Sequence, residues 1–113
     1  MEVVNSNVES KGSMLEYLKS IDVNSNNKHE EIELGNYIVS VVMITIIFKT
    51  LSSSAEEFNV YVLFQDKKDN KIYGKFFDKD FNSYSEAKEY YSIIKSKVSL
   101  FTDNEIFNII HAD

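Results

Sequence analysis

Between Tyr37 and Lys49 the chain reads YIVSVVMITIIFK, with only Ser40 and Thr45 interrupting an apolar run. β-Branched residues dominate it, and these pack well on a pleated surface. Divided by parity, Val39, Val41, Met43 and Ile47 share one face, and Val42, Ile44, Ile46 and Phe48 share the other. A strand apolar on both faces has to be covered on both, by helices of the same chain or by a second subunit. Upstream, Ile32 and Leu34 alternate with Glu31 and Glu33 as in a half-buried strand, and Gly35-Asn36 supplies a two-residue hairpin turn. Downstream, Leu51 to Glu57 reads as a connection. Phe58 to Gln65 reads as a strand with Phe58, Val60, Val62 and Phe64 on one face and Tyr61 and Leu63 on the other. Asp66 to Asn70 is a polar turn, and Lys71 to Phe77 the returning strand.

Helical spacing brackets this centre. Ser13-Met14-Leu15-Glu16 matches a capping box and opens a short helix over 13–21, with Met14, Leu15, Leu18 and Ile21 on one side. Asp22 to Lys28 is a loop. Ser83-Tyr84-Ser85-Glu86 and Thr102-Asp103-Asn104-Glu105 repeat the capping signature. The first of these precedes a stripe of Tyr84, Ala87, Tyr91, Ile94 and Val98. The second precedes a buried side formed by Ile106, Phe107, Ile109 and Ile110. The expected fold is α+β: a flexible lead-in at 1–12, then a single domain over 13–113. That domain comprises a short N-terminal helix, an antiparallel meander of three or four strands, and two C-terminal helices packed on the sheet.

Composition narrows the function classes. A chain of 113 residues with 43% apolar and 13% aromatic side chains fits one folded domain rather than a disordered segment. With no Cys, disulfides, thiol catalysis and thiolate metal sites are excluded. There is no Pro, no Trp and no Arg, and every cation is Lys. The net charge of −6 opposes a phosphate-backbone binder, which needs clustered cations. Frequent Lys, Asn, Ile, Tyr and Phe point to a low-GC genome, bacterial, phage or plasmid. The N-terminus MEVVNSNVES lacks a signal-peptide pattern, and Tyr37–Phe48 is shorter than the ~20 residues of a membrane span. A cytoplasmic protein without membrane attachment is expected.

The sharpest motif is Asp78-Lys79-Asp80-Phe81-Asn82-Ser83-Tyr84-Ser85-Glu86-Ala87-Lys88-Glu89, which resembles an EF-hand calcium loop. The resemblance implies Asp78, Asp80 and Asn82 as ligands, with the Tyr84 carbonyl, Glu86 and a bidentate Glu89, and makes Ca2+ the one cofactor the sequence offers. Ser83 stands where the pattern has Gly. The competing assignment uses the same residues to cap a helix. The α-β-β-β-α order is similar to that of the double-stranded RNA-binding domain, but Ser85–Glu89 is acidic where that family is basic. Lysines 67, 68, 71, 75 and 79 alternate with Tyr73, Phe76, Phe77 and Phe81, yet Asp66, Asp69, Asp78 and Asp80 nearly cancel them. His29 and His111 are isolated, and the Ser52-Ser53-Ser54 run lacks the glycines of a nucleophile elbow.

The sequence therefore points away from catalysis. It is read as a non-enzymatic acidic binding protein that masks or inhibits a protein partner. Such a chain would be a phage- or plasmid-type inhibitor of a host nucleic-acid-handling or defence enzyme, imitating phosphates, or a toxin-immunity protein. The residues expected to carry that contact are Glu30, Glu31, Glu33, Tyr37, Val39, Val41 and Met43. A calcium-binding module is the alternative. So is a self-associating protein, dimeric through strand 37–48 or the C-terminal helix.

Overall fold

The computed structural model describes residues 7–9, 27–49, 51 and 53–112. The helix expected over 13–21 lies outside them. In chain order the elements are β1 (Asn7–Glu9), β2 (Lys28–Leu34), β3 (Tyr37–Lys49), β4 (Ser54–Asp66), β5 (Lys71–Phe81), α1 (Tyr84–Val98) and α2 (Asp103–Ile110). The strands form one antiparallel sheet in the order β1-β5-β4-β3-β2. This is the expected meander with two C-terminal helices. Residues 7–9, assigned by the sequence to the lead-in, add a short edge strand beside β5.

The strands run longer than their apolar cores. β3 and β4 pair without a break from Tyr37 against Asp66 to Lys49 against Ser54, so Ser54 to Glu57 is strand rather than connection. Likewise β5 continues past Phe77 to Phe81. Ladder hydrogen bonds recruit these polar residues because the neighbouring strand is already in place. Against β4, β5 bulges twice: between paired positions, Phe77 and Asp78 stand opposite the single residue Tyr61, and the next step repeats the mismatch. Phe77 sits in the first bulge with φ 55°. A bulky side chain there costs about 1–2 kcal/mol. Its ring packs against the main core beside Phe101, 6.1 Å away, with Lys97 Nζ 5.3 Å from its centroid, and Tyr90 Oη donates to its carbonyl at 2.9 Å.

Both helices cover the face made by Tyr37, Val39, Val41 and Met43 with Phe58, Val60, Val62 and Phe64. Ala87, Tyr91, Ile94 and Val98 from α1 and Ile106 and Ile110 from α2 complete that core. A smaller buried cluster of Val42, Tyr61, Leu63 and Ile72 lies on the opposite face, with Ile38 and Ile44 packed against it. Val39, Val41, Val42 and Met43 of β3 are thus buried inside the chain, while Ile47 is 47% exposed. Tyr37, Val39, Val41 and Met43, expected to meet a partner, are at most 7% exposed. β4 flanks β3 along its whole length, whereas β2 pairs with it only from Tyr37 to Met43. No helix among the described residues is long and apolar enough to cross a membrane.

Candidate functional site

The three glutamates of β2 do not act together, because adjacent strand residues face opposite sides of a sheet. Glu30 points to the helical layer, where it accepts hydrogen bonds from Tyr91 Oη at 2.9 Å and Lys95 Nζ at 2.7 Å. The hydrogen bond from Lys95 leads the causes that hold its carboxyl below the ordinary 4.5, against the opposing effect of burial. Glu31 and Glu33 lie on the other side. Glu33 pairs with Lys67, and that hydrogen bond lowers its carboxyl as well. Glu31 stays exposed.

The calcium-type loop is not a loop. Asp78 and Asp80 lie inside β5, two residues apart on one side of the strand, and Asn59 of β4 donates its Nδ2 to both, at 2.5 and 2.7 Å. Asn82 falls in the β5–α1 connection. Tyr84 opens α1, with its ring 5.7 Å from Phe58, and Glu86 and Glu89 stand on the exposed side of the helix. Ser83 caps α1 by accepting from the Glu86 N–H. The point on which the Asp78 and Asp80 carboxylates converge is occupied by the Asn59 amide, a donor that takes the place a cation would need. Among the described residues no three His, Asp or Glu are grouped to hold a metal ion. The aromatics between the lysines of β5 also turn inward: Tyr73, Phe76, Phe77 and Phe81 pack on the main core. Lys75 lies over Tyr61, and Lys79 over Phe81 and Tyr90.

What the fold does assemble lies at the end of the sheet where two hairpin turns meet α2. Gly35 takes φ +59°, which glycine adopts without strain, so that Asn36 turns the chain into β3. The Asn36 carbonyl accepts from the Lys67 N–H at 3.0 Å, tying the β2–β3 turn to the β4–β5 turn. Asp103, at the start of α2, accepts from the Asn36 N–H at 3.1 Å and from its Nδ2 at 2.8 Å. A Cβ on Gly35 would stand 1.8 Å from the Asp103 carboxylate, so the missing side chain makes the latch fit. Thr102 and Glu105 form a complete capping box beneath it, with reciprocal bonds of 2.9 and 3.2 Å.

These pieces enclose an open cleft of about 400 Å³, within the range of small-ligand sites. Asn36 and Tyr37 line it from one turn, Asp66 and Lys68 from the other, and Asp103, Asn104, Phe107 and His111 from α2. Phe107, expected on the buried side of its helix, is 50% exposed, with the His111 ring 4.3 Å from its own. Tyr37 is 7% exposed. Burial raises its phenol above the ordinary 10.0, and the carboxylates of Asp66 and Asp103 add to the effect, so the hydroxyl sits in a negative field. Chemically the cleft combines hydrogen-bond acceptors, an aromatic wall and the exposed Lys68 cation. Sequence reading placed Asp66 and Lys68 in a turn, Asp103 in a cap and His111 at a terminus. Lys68 is in the turn and Asp66 instead ends β4, but the contact between turn and helix spans 67 residues and has no local signature. Comparison with family models, curated proteins and solved structures finds no match to the chain, so the site is read from its own geometry.

Proposed function

We propose that the chain is a non-enzymatic acidic binding protein that masks a macromolecular partner, engaging it at the end of the sheet where α2 meets the two hairpin turns. The observation that carries this reading is the cleft itself, where Asp66 and Asp103 stand beside a half-exposed Phe107. Surface carboxylates around an aromatic anchor suit a basic protein surface, the aromatic supplying contact area and the charges steering and register. The net charge of −6 supports the same partner class. A phage- or plasmid-type inhibitor of a nucleic-acid-handling or defence enzyme, or a toxin-immunity protein, is the biological setting such a masking role fits.

The test is affinity purification of the intact chain from its native host, with mass spectrometry across a salt series. A macromolecule retained at low salt and released progressively as salt screens the contact is the expected result. If no macromolecule is retained at any ionic strength, the reading is wrong.

A further inference from the structure

We propose that the sheet face opposite the helices is the docking surface for the chain's own residues 10–26. They cross it from β1 to β2 with Met14, Leu15, Leu18 and Ile21 turned inward. The face is buried, yet no described element lies on it. Ser40, Val42, Tyr61, Leu63, Gln65 and Ile72 are each 6% exposed or less, although α1 and α2 both pack on the other side. Lys75, with its Nζ 4.3 Å from the Tyr61 centroid, shields one ring and not the patch. Side chains on a bare sheet face stay in contact with water, so a buried patch three strands wide needs a layer above it. The Ser40 hydroxyl in that patch is fully buried and has no partner, which fits an apolar cover rather than a hydrated one.

The two ends of the segment select it as the occupant. Antiparallel pairing at every step of the order β1-β5-β4-β3-β2 makes β1 and β2 parallel to each other. Parallel strands of one sheet are joined by a crossover that passes over a face, usually as a helix. Glu9 ends β1 opposite Lys71, next to Ile72. Asn27 leads into β2, its Oδ1 accepting from the Thr45 N–H at 2.7 Å. By register, the line between these ends runs diagonally over Ile72, Leu63 and Val42, which form the buried patch. Its width is four strand spacings, about 19 Å. The helix predicted over 13–21 is about 14 Å long, and the residues on either side of it supply the rest. α1 and α2 already occupy the first face, so the crossover takes the second. That face is then closed to a second copy or a partner, whose contacts are left to the helices and to the ends and edges of the sheet.

NMR on the intact chain, with labelled Ile, Leu and Val methyl groups, reads the contact directly. Nuclear Overhauser effects are expected from the methyls of Leu15, Leu18 and Ile21 to those of Val42, Leu63 and Ile72. In a mixture of labelled and unlabelled chains, a filtered experiment should show none of them between molecules. A second readout is thermal unfolding of two neighbouring variants. Leu18→Ala should lower the midpoint by roughly 10 °C, as loss of a packed leucine does in a domain of this size. Lys19→Ala, on the outer side of the same helix, should shift it by no more than about 2 °C. Absence of these methyl contacts, their appearance only between molecules, contacts from Val3 and Val4 in their place, or equal effects of Leu18→Ala and Lys19→Ala would each overturn the proposal.

Discussion

Replacing Glu30 by alanine removes the acceptor that joins β2 to α1. Tyr91 is 2% exposed, and its hydroxyl loses its partner in the variant. An orphaned buried donor costs about 1–3 kcal/mol. The Lys95–Glu30 pair is 43% exposed on each side, so screening by solvent limits its share to ~1 kcal/mol or less. Glu30→Ala should therefore lose about 2 kcal/mol at neutral pH, or roughly 8 °C in thermal midpoint for a domain of this size. Tyr91→Phe, which deletes only the hydroxyl, should lose about 1–2 kcal/mol. The double variant carries no orphan hydroxyl and should be less destabilised than the two losses added, by about 1 kcal/mol or more. Urea unfolding followed by circular dichroism measures all three. Acid adds a second arm. The folded carboxyl lies below the ordinary 4.5, so its contribution is complete above that value and fades as pH falls through the folded one. Glu30→Gln should flatten stability against pH in that window. Additive single losses, or a Glu30→Ala loss under ~0.5 kcal/mol, would refute the brace.

Other outcomes follow from single contacts. Gly35→Ala forces a side chain into φ +59° and against Asp103, and should cost roughly 1–2 kcal/mol in chemical denaturation, with loss of amide protection at Asn36 in hydrogen exchange. Thr102→Ala breaks the capping box of α2 and should cost about 1 kcal/mol, with exchange accelerated first in residues 103–106. Ser40 is fully buried and its Oγ has no partner, so Ser40→Ala should be neutral or stabilising by up to ~1 kcal/mol in urea unfolding; a larger loss would contradict the assignment. Burial lifts the phenols of Tyr37, Tyr90 and Tyr91 above 10.0, with Glu30 reinforcing the rise at Tyr91. The folded state therefore holds these protons more tightly, and stability should fall as pH rises above 10, less so in Tyr91→Phe.

Much of the architecture is legible along the chain because it depends on neighbours in sequence. The parity of Phe58, Val60, Val62 and Phe64 against Tyr61 and Leu63 specifies two faces, and both are buried as the alternation requires. The stripe Ala87, Tyr91, Ile94 and Val98 likewise identifies the packed side of α1. Misreadings arise where a local pattern serves two structures. Asp78, Asp80 and Asn82 satisfy a metal-loop spacing, but pairing of Asp80 opposite Asn59 draws the segment into the ladder. Phe107 has the hydrophobicity of a core residue and a position on the rim of its helix. The cleft is illegible for a different reason: its walls come from two turns and a helix that meet only after the sheet is formed, and each wall reads locally as something else.

The latch from Asp103 to Asn36 has a thermodynamic consequence for the cleft it borders. α2 has eight residues and forms one wall, so the cleft survives only while that helix stays docked. Undocking a terminal helix requires far less free energy than unfolding the sheet, and such sub-global openings are sampled from the native state. Occupancy and docking are therefore linked equilibria. A ligand seated between Asp66 and Asp103 holds α2 down by mass action, and any change that lets α2 fray lowers apparent affinity by the fraction of molecules open.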